Sequence, residues 1–193
     1  NTLTGFKWIC GKMNQLEKSN PEKNFIFGTE ESFGYLNHPH VRDKDGVSSV
    51  ILMSEVALYY KTQGLDLIDA LDKIYDQFGF YYEGLLSLDY FGKEGAEKIN
   101  RIMEHFRSKV KTNFAGEKIA KIEDYQSQKV FDLRSDKLSP LDTPKSNVLG
   151  YHFESSNVLY LRPSGTEPKI KFYIMTNASV GSLSDKKAKA LAV

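Results

Sequence analysis

The sequence predicts a mixed α/β chain with two domains: an α/β domain over residues 1–113, then a smaller α+β domain with an antiparallel sheet over residues 114–193. Three observations support this prediction. In roughly the first 110 residues, apolar residues recur mostly at helical spacing around one short apolar run. Turn residues then cluster at 112–116. Beyond that cluster the apolar segments are short and separated by turns, as in antiparallel sheets.

The first domain is predicted to contain four helices. Their apolar stripes lie within residues 6–16, 47–58, 67–78 and 93–110. The apolar run at 25–27 predicts a short buried strand, and residues 80–88 predict a further strand or an extended connection. The strand at 25–27 would end at the loop formed by residues 29–40. Ligands collect at such strand ends in open α/β sheets, which makes this loop a candidate site.

The second domain is predicted to contain five strands. They lie at residues 119–125, 130–133, 148–154, 158–161 and 170–176. A polar stretch with two prolines at 135–147 predicts an exposed loop, and residues 155–157 predict a hairpin turn. The residues from 182 onward resemble the start of a helix.

The charges nearly balance, which limits the classes of partner. The chain has 26 basic and 25 acidic residues and a net charge of +1, so it lacks the broad positive field that nucleic-acid binding needs. No apolar run approaches the roughly 20 residues of a membrane span, and the first residues lack the features of a signal peptide. We therefore expect a cytoplasmic protein with no nucleic-acid or membrane partner, in which any anion site is local.

One stretch near the carboxyl end has the parts of a phosphate-binding loop. Ser164 and Thr166 offer hydroxyl donors, and Gly165 permits close approach of the backbone. Arg162 can present a planar fork to phosphate oxygens, and Lys171 on the following strand can add a point charge. A polar hairpin loop with incidental charges fits the same residues equally well.

Two carboxylates and a hydroxyl follow the predicted short strand. They are Glu30, Glu31 and Ser32. A carboxylate can accept two neighbouring sugar hydroxyls, and a nearby serine can donate or accept. Alternatively, one glutamate caps the next element and the other is solvated. His38 and His40 come next, but no third ligand stands at a convincing spacing, so we expect loop histidines and no metal site.

Together these segments resemble the α-D-phosphohexomutase family of phosphoglucomutases and phosphomannomutases. Residues 28–34 resemble the family's sugar-specificity loop, and residues 162–171 resemble its phosphate-binding loop. Residues 4–8 and 42–46 also look like family segments in the same order. The resemblance covers most of the chain. It implies the third and fourth of the family's four domains, with the three-layer α/β third domain truncated at its amino-terminal end.

The resemblance implies an isomerase-class intramolecular phosphotransferase that moves a phosphoryl group between the 1- and 6-positions of a hexose. In the family a phosphoserine transfers the group, an aspartate-rich loop holds Mg²⁺, and a bisphosphate such as glucose 1,6-bisphosphate is the intermediate. Neither motif occurs in this sequence. We therefore expect the missing amino-terminal domains of the same polypeptide to supply both, and the chain alone to be inactive. A standalone, non-catalytic sugar-phosphate or anion-binding module is the alternative.

The resemblance also implies roles for individual residues. Sugar hydroxyls would be contacted by Glu30 and Ser32, with Thr4 and Gly5 shaping the same wall. The distal phosphate would be bound by Arg162, Ser164, Gly165 and Thr166. Lys171 stands where relatives often have arginine, so the charge is kept but the fork is lost. Lys44 is similar in position to a lysine near the reacting groups, where it would transfer a proton or stabilise phosphate charge. A solvated turn lysine is the other interpretation. Glucose, mannose and pentose phosphates are all compatible substrates.

Overall fold

The computed structural model of the protein describes residues 2–30, 33–109, 112–165 and 167–192. The chain divides into two compact units, Asn1–Leu71 (unit one) and Asp72–Val193 (unit two). The predicted mixed α/β class with an antiparallel sheet is confirmed. Among the described residues, no helix has the length and apolar character needed to cross a membrane.

Among its described residues, unit one contains two helices and a short antiparallel hairpin. Their bounds are α1 Phe6–Ser19, β1 Gly28–Glu30, β2 Gly34–Leu36 and α2 Gly46–Thr62. Helix α3, Leu67–Phe78, begins in unit one and ends in unit two. All three helices form where the apolar spacing of the sequence predicts them.

The core of unit one lies between α1 and the hairpin. Phe6, Cys10 and Met13 share one face of α1, and together with Leu36 of β2 they are 0–4% exposed. The spacing of three and four residues puts these side chains on one side of the helix. Burial raises the pKa of the Cys10 thiol, which suits a packing role better than a reactive one.

The apolar run at 25–27 does not form the buried strand that the sequence predicts. The strand begins only at Gly28, and Ile26 is 82% exposed. A buried strand needs hydrogen-bonded neighbours at its edges and packing on both faces, whereas β1 pairs only with β2 among the described residues. The apolar side of α2 is likewise uncovered. Val47 and Ile51 of that helix are 74% and 56% exposed.

In the part that the structure describes, unit two is built on one antiparallel sheet with two helices. The bounds are β3 Phe80–Asp89, α4 Gly92–Ser108, β4 Asn113–Phe114, β5 Glu117–Asp124, β6 Lys129–Asp132, β7 Lys137–Pro140, β8 Leu149–Phe153, β9 Val158–Pro163, β10 Lys169–Ala178 and α5 Leu183–Leu191. The order across the sheet is β3-β10-β9-β8-β5-β6-β7, with β4 paired to β5. Strand β7 lies inside the segment predicted as a loop, and its four residues are exposed as that prediction required.

The division between the units differs from the predicted domain boundary between residues 113 and 114. Strand β3 pairs with β10 along its whole length, from Phe80 to Asp89. Helix α4 packs its Ile99 and Met103 into the core of unit two. Both elements were assigned to the first domain from the sequence. Their partners lie far along the chain. The spacing of apolar residues identifies a helix or a strand, but it does not identify the distant element on which that helix or strand packs.

The two faces of the large sheet differ in character because side chains alternate between faces along each strand. One face forms the core with α4 and includes Leu159 and Ile170. Helix α5 packs on the same side, where the Thr176 hydroxyl donates a hydrogen bond of 2.6 Å to a carbonyl of α5. The intervening residues, among them Arg162 and Lys171, belong to the opposite face, which we call the polar face.

Candidate functional site

Unit one brings Glu30 and Lys44 together. Glu30 ends β1 with its side chain 10% exposed, and Lys44 lies just before α2 with its side chain 55% exposed. The Lys44 ammonium is 3.9 Å from Glu30 Oε1 and 3.4 Å from Asp43 Oδ1. The sequence predicts Glu30 and Lys44 as site residues from separate segments. In the structure their charged groups lie close together. Ser32, also predicted for this site, lies outside the described residues.

Gly34 makes the position of Glu30 possible. A Cβ on Gly34 would be 2.7 Å from Glu30 Oε1 and 2.7 Å from Phe6 Cε2, closer than non-bonded atoms pack. The Glu30 carboxylate and the ring of Phe6, in the first turn of α1, therefore both lie beside Gly34. Thr4 and Gly5 directly precede that turn, and Gly5 has a φ of 114°, which glycine adopts without strain. The predicted wall residues thus directly precede, in the chain, the helix turn that contains Phe6.

Asp45 fixes the backbone beside Lys44. Its carboxylate accepts hydrogen bonds from the N–H groups of Val47 and Ser48 and caps α2. His38 Nε2 is 2.9 Å from Asp45 Oδ2, and this hydrogen bond is the main cause of the lowered pKa of Asp45. His38, expected as a loop histidine, therefore helps hold the turn that presents Lys44.

In unit two, β9 and β10 form a hairpin around the predicted phosphate-binding stretch. Lys171 lies directly opposite Arg162 in the ladder. The Ser164 N–H donates to the Lys169 carbonyl at 2.8 Å, and the Ser164 hydroxyl oxygen accepts from the Glu167 N–H at 3.2 Å. These two bonds link the described residues on either side of the loop. We call residues 162–171 the phosphate hairpin.

The phosphate hairpin leaves room for a ligand at Gly165. Apart from its two chain neighbours, no atom of the described residues would lie within 4 Å of a Cβ there, so this side of the backbone is open to approach. Lys169 lies 3.1 Å from Glu167 and 3.6 Å from Asp89, and the bond to Glu167 is the main cause of its raised pKa. The Lys169 charge is thus balanced by carboxylates. Thr166, predicted to bind phosphate, lies outside the described residues.

Arg162 is held on the polar face by a tyrosine that the sequence does not indicate as part of a site. Its Nη2 donates to the Tyr173 hydroxyl at 2.8 Å, and its guanidinium carbon is 5.7 Å from the ring centroid. Tyr173 belongs to β10, two residues beyond Lys171. The contact depends on the register of two strands, which the sequence does not reveal.

A second polar cluster on the same face surrounds a buried carboxylate. Glu123 is 9% exposed and accepts hydrogen bonds from Lys121 Nζ at 2.6 Å and the Tyr125 hydroxyl at 3.1 Å. His152 Nε2 lies 3.2 Å away but is not well aligned for a hydrogen bond. These contacts, that with His152 foremost, lower the pKa of Glu123 to about 2. The alternation of polar residues along β5 was the available signal for this cluster, which we call the Glu123 cluster.

The two loops offer donors and acceptors suited to sugars and phosphate. Glu30 supplies a carboxylate for hydroxyl groups, and Lys44, Arg162 and Lys171 supply positive charge. In the parts of the chain that the structure describes, no three His, Cys, Asp or Glu side chains lie close enough to hold a metal ion. Taken separately, the loop of unit one has the chemistry for sugar hydroxyls and that of unit two has the chemistry for a phosphate.

Residues 1–78 match the family model described as phosphoglucomutase/phosphomannomutase, alpha/beta/alpha domain III. The chain belongs to this family, the phosphohexomutases. Its relatives include phosphoglucomutases of Staphylococcus epidermidis RP62A and Staphylococcus aureus MRSA252, each 44% identical over 172 residues, or 89% of this chain. The aligned part covers 31% and 30% of those proteins, so the chain spans less than a third of their length.

A solved structure has a similar fold. The open form of pp63/parafusin, a Paramecium phosphoprotein described as a phosphoglucomutase, superposes on the chain with a TM-score of 0.57. The two are 19% identical, and the match covers 95% of this chain and 30% of the other. At this level of identity the similarity supports the fold.

Proposed function

We propose that the chain is the sugar-binding and distal-phosphate-binding part of a phosphohexomutase. The complete enzyme would interconvert hexose 1-phosphate and hexose 6-phosphate through a bisphosphate intermediate. The observation that best supports the proposal is the 3.9 Å separation of Glu30 and Lys44 in the segment that matches domain III. The 44% identity to proteins named phosphoglucomutase favours glucose phosphates as substrates.

Unit one would bind the sugar. The Glu30 carboxylate would accept two neighbouring hydroxyls, with Ser32 as a further donor or acceptor. Thr4 and Gly5 would form the adjoining wall. Lys44 would either stabilise charge on the reacting phosphoryl group or transfer a proton, because its ammonium lies close to the sugar-binding carboxylate.

The phosphate hairpin would bind the phosphate that is not reacting. Arg162 would bind two oxygens through its fork, and Lys171, opposite it in the ladder, would add charge. Ser164, Gly165 and Thr166 would supply hydroxyl and backbone donors around the remaining oxygen. Binding at both ends of the substrate would hold it in place while another part of the enzyme carries out the transfer.

The transfer step is assigned to residues outside the chain. Mg²⁺, when bound, neutralises charge on the transferring phosphoryl group, but the described residues offer no cluster of ligands for it. We assign the metal and the phosphoserine to the remaining length of the polypeptide. The chain alone should then show no mutase turnover. Its cytoplasmic location stays a prediction from the sequence.

Calorimetric titration of the chain with glucose 1,6-bisphosphate and mannose 1-phosphate tests the binding proposal. Arg162→Ala should weaken binding of the bisphosphate by about 10- to 100-fold, the usual effect of losing a hydrogen bond to a charged group. Arg134→Ala is a matched control because Arg134 is 62% exposed and paired with Asp132 in another turn of the same sheet. Equal weakening by both variants, or no binding by the folded chain, would contradict the proposal.

Turnover separates the enzyme from a standalone binding module. Steady conversion of glucose 1-phosphate to glucose 6-phosphate by the purified chain, free of host enzyme, would contradict the assignment of catalysis to other domains. Restoration of turnover when the chain is fused to the amino-terminal part of a relative such as the Staphylococcus epidermidis phosphoglucomutase would support the enzyme. A fused protein that binds bisphosphate but never turns over would favour the module.

A further inference from the structure

The phosphate hairpin places two cations face to face. Arg162 on β9 and Lys171 on β10 are directly opposite in the ladder. Like charges in this relation destabilise a sheet, and an anion bound between them offsets that repulsion. The Arg162 guanidinium itself contacts the Tyr173 hydroxyl, which lies 2.8 Å from Nη2.

Tyr173 is well placed to orient a guanidinium. Its strand β10 is hydrogen-bonded on both sides, to β3 and to β9, so its backbone is held more firmly than that of a loop. The hydroxyl oxygen accepts from Nη2, one of the nitrogens that carry the five N–H donors of Arg162. The aromatic ring also lies within 5.7 Å of the guanidinium carbon, a distance at which a cation and a ring attract.

We propose that Tyr173 is a positioning residue for Arg162, which fixes the plane of the guanidinium before phosphate arrives. The inference rests on the phosphate site proposed above. An arginine held in its binding orientation loses less side-chain entropy when the ligand binds, so preorganisation raises affinity. Tyr173 acts through Arg162 and needs no contact of its own with the substrate.

A double-mutant cycle in the 193-residue chain tests the proposal, with glucose 1,6-bisphosphate binding measured by calorimetry. Tyr173→Phe keeps the ring and removes the hydroxyl, and should weaken binding by about three- to tenfold. The same substitution in an Arg162→Ala background should have no further effect, because its target is gone. Tyr160→Phe is the control: Tyr160 faces Tyr173 across the ladder, but its ring lies against that of His152, with the ring centroids 6.0 Å apart. It should bind like the unmodified chain.

The outcomes separate the two proposals. If the unmodified chain binds and Arg162→Ala weakens binding, the phosphate site stands, and unchanged affinity in Tyr173→Phe overturns the positioning role alone. An equal loss from Tyr173→Phe with and without Arg162 also overturns it, since the hydroxyl would then act independently. If the unmodified chain does not bind, both proposals fail.

A second measurement covers the case in which Tyr173→Phe is too unstable for titration. In chain labelled with ¹⁵N-arginine, the Arg162 Nε–H should have an order parameter close to the rigid value of about 0.85 without any ligand. An Arg162 side chain as mobile as that of the exposed Arg134 would overturn the proposal.

Discussion

Replacing Glu123 by glutamine should remove much of the acid sensitivity of unit two. The contacts in the Glu123 cluster lower the pKa of this buried carboxyl from its ordinary value of 4.5 to about 2. One pKa unit corresponds to about 1.4 kcal/mol, so the ionised cluster contributes about 3 kcal/mol to the free energy of unfolding. Because the folded-state pKa is lowered, this stability is present above about pH 4.5 and is lost as the pH falls towards 2. About 2 kcal/mol of it should be lost by pH 3.

Urea unfolding followed by far-UV circular dichroism at several pH values between 3 and 7 measures this effect. The difference in unfolding free energy between the unmodified chain and Glu123→Gln should shrink by about 2 kcal/mol from pH 7 to pH 3. Other acidic groups titrate in both proteins and cancel in the comparison. If circular dichroism shows parallel loss of stability in the two proteins, the argument is refuted.

Three further substitutions test close contacts in the fold. Gly34→Ala would put a methyl group 2.7 Å from Glu30 Oε1 and should weaken binding of glucose 1,6-bisphosphate by about an order of magnitude; unchanged calorimetric affinity would argue against a role for Glu30. In Gly95→Ala the new Cβ would collide with the Tyr90 carbonyl. The substitution should lower the free energy of unfolding by about 1–3 kcal/mol, although alanine has the better helix propensity. A stabilised variant would be inconsistent with this packing. Lys186→Met removes a 2.7 Å hydrogen bond from a buried ammonium to a carbonyl in the last turn of α3 and should cost about 1–3 kcal/mol in urea unfolding, whereas an unaltered midpoint would show that the bond contributes little.

The sequence predicts the helices and most strands of this protein because their signals are local. An apolar stripe such as that of α1 repeats within one turn, and it identifies the helix regardless of what covers it. The strand expected at 25–27 is wrong for the converse reason. A short apolar run indicates burial, but whether it pairs with other strands depends on neighbours that its own residues do not specify. The place of β3 in the second sheet depends on β10 in the same way.

In the candidate site, too, the sequence predicts what depends on local residue chemistry and misses what depends on distant partners. Glu30 and Lys44 were predicted from residue chemistry and family resemblance, and the structure brings their charged groups to 3.9 Å. Tyr173 and the Glu123 cluster were not predicted as parts of a site. Tyrosine and glutamate are common in strands, and their importance here comes from which side chain lies across the ladder. That information appears only once the register is known.

The pairing of β3 with β10 also limits which parts of the chain can fold while synthesis continues on the ribosome. Residues 80–108 are synthesised first, yet the apolar side of α4 and the pairing edge of β3 both depend on strands made later. At usual synthesis rates, several seconds pass before β10 leaves the ribosome. During that interval the nascent segment exposes the apolar face of α4 and the unpaired edge of β3. Chaperones bind features of this kind. We therefore expect chaperones to bind mainly the middle third of this protein during its synthesis.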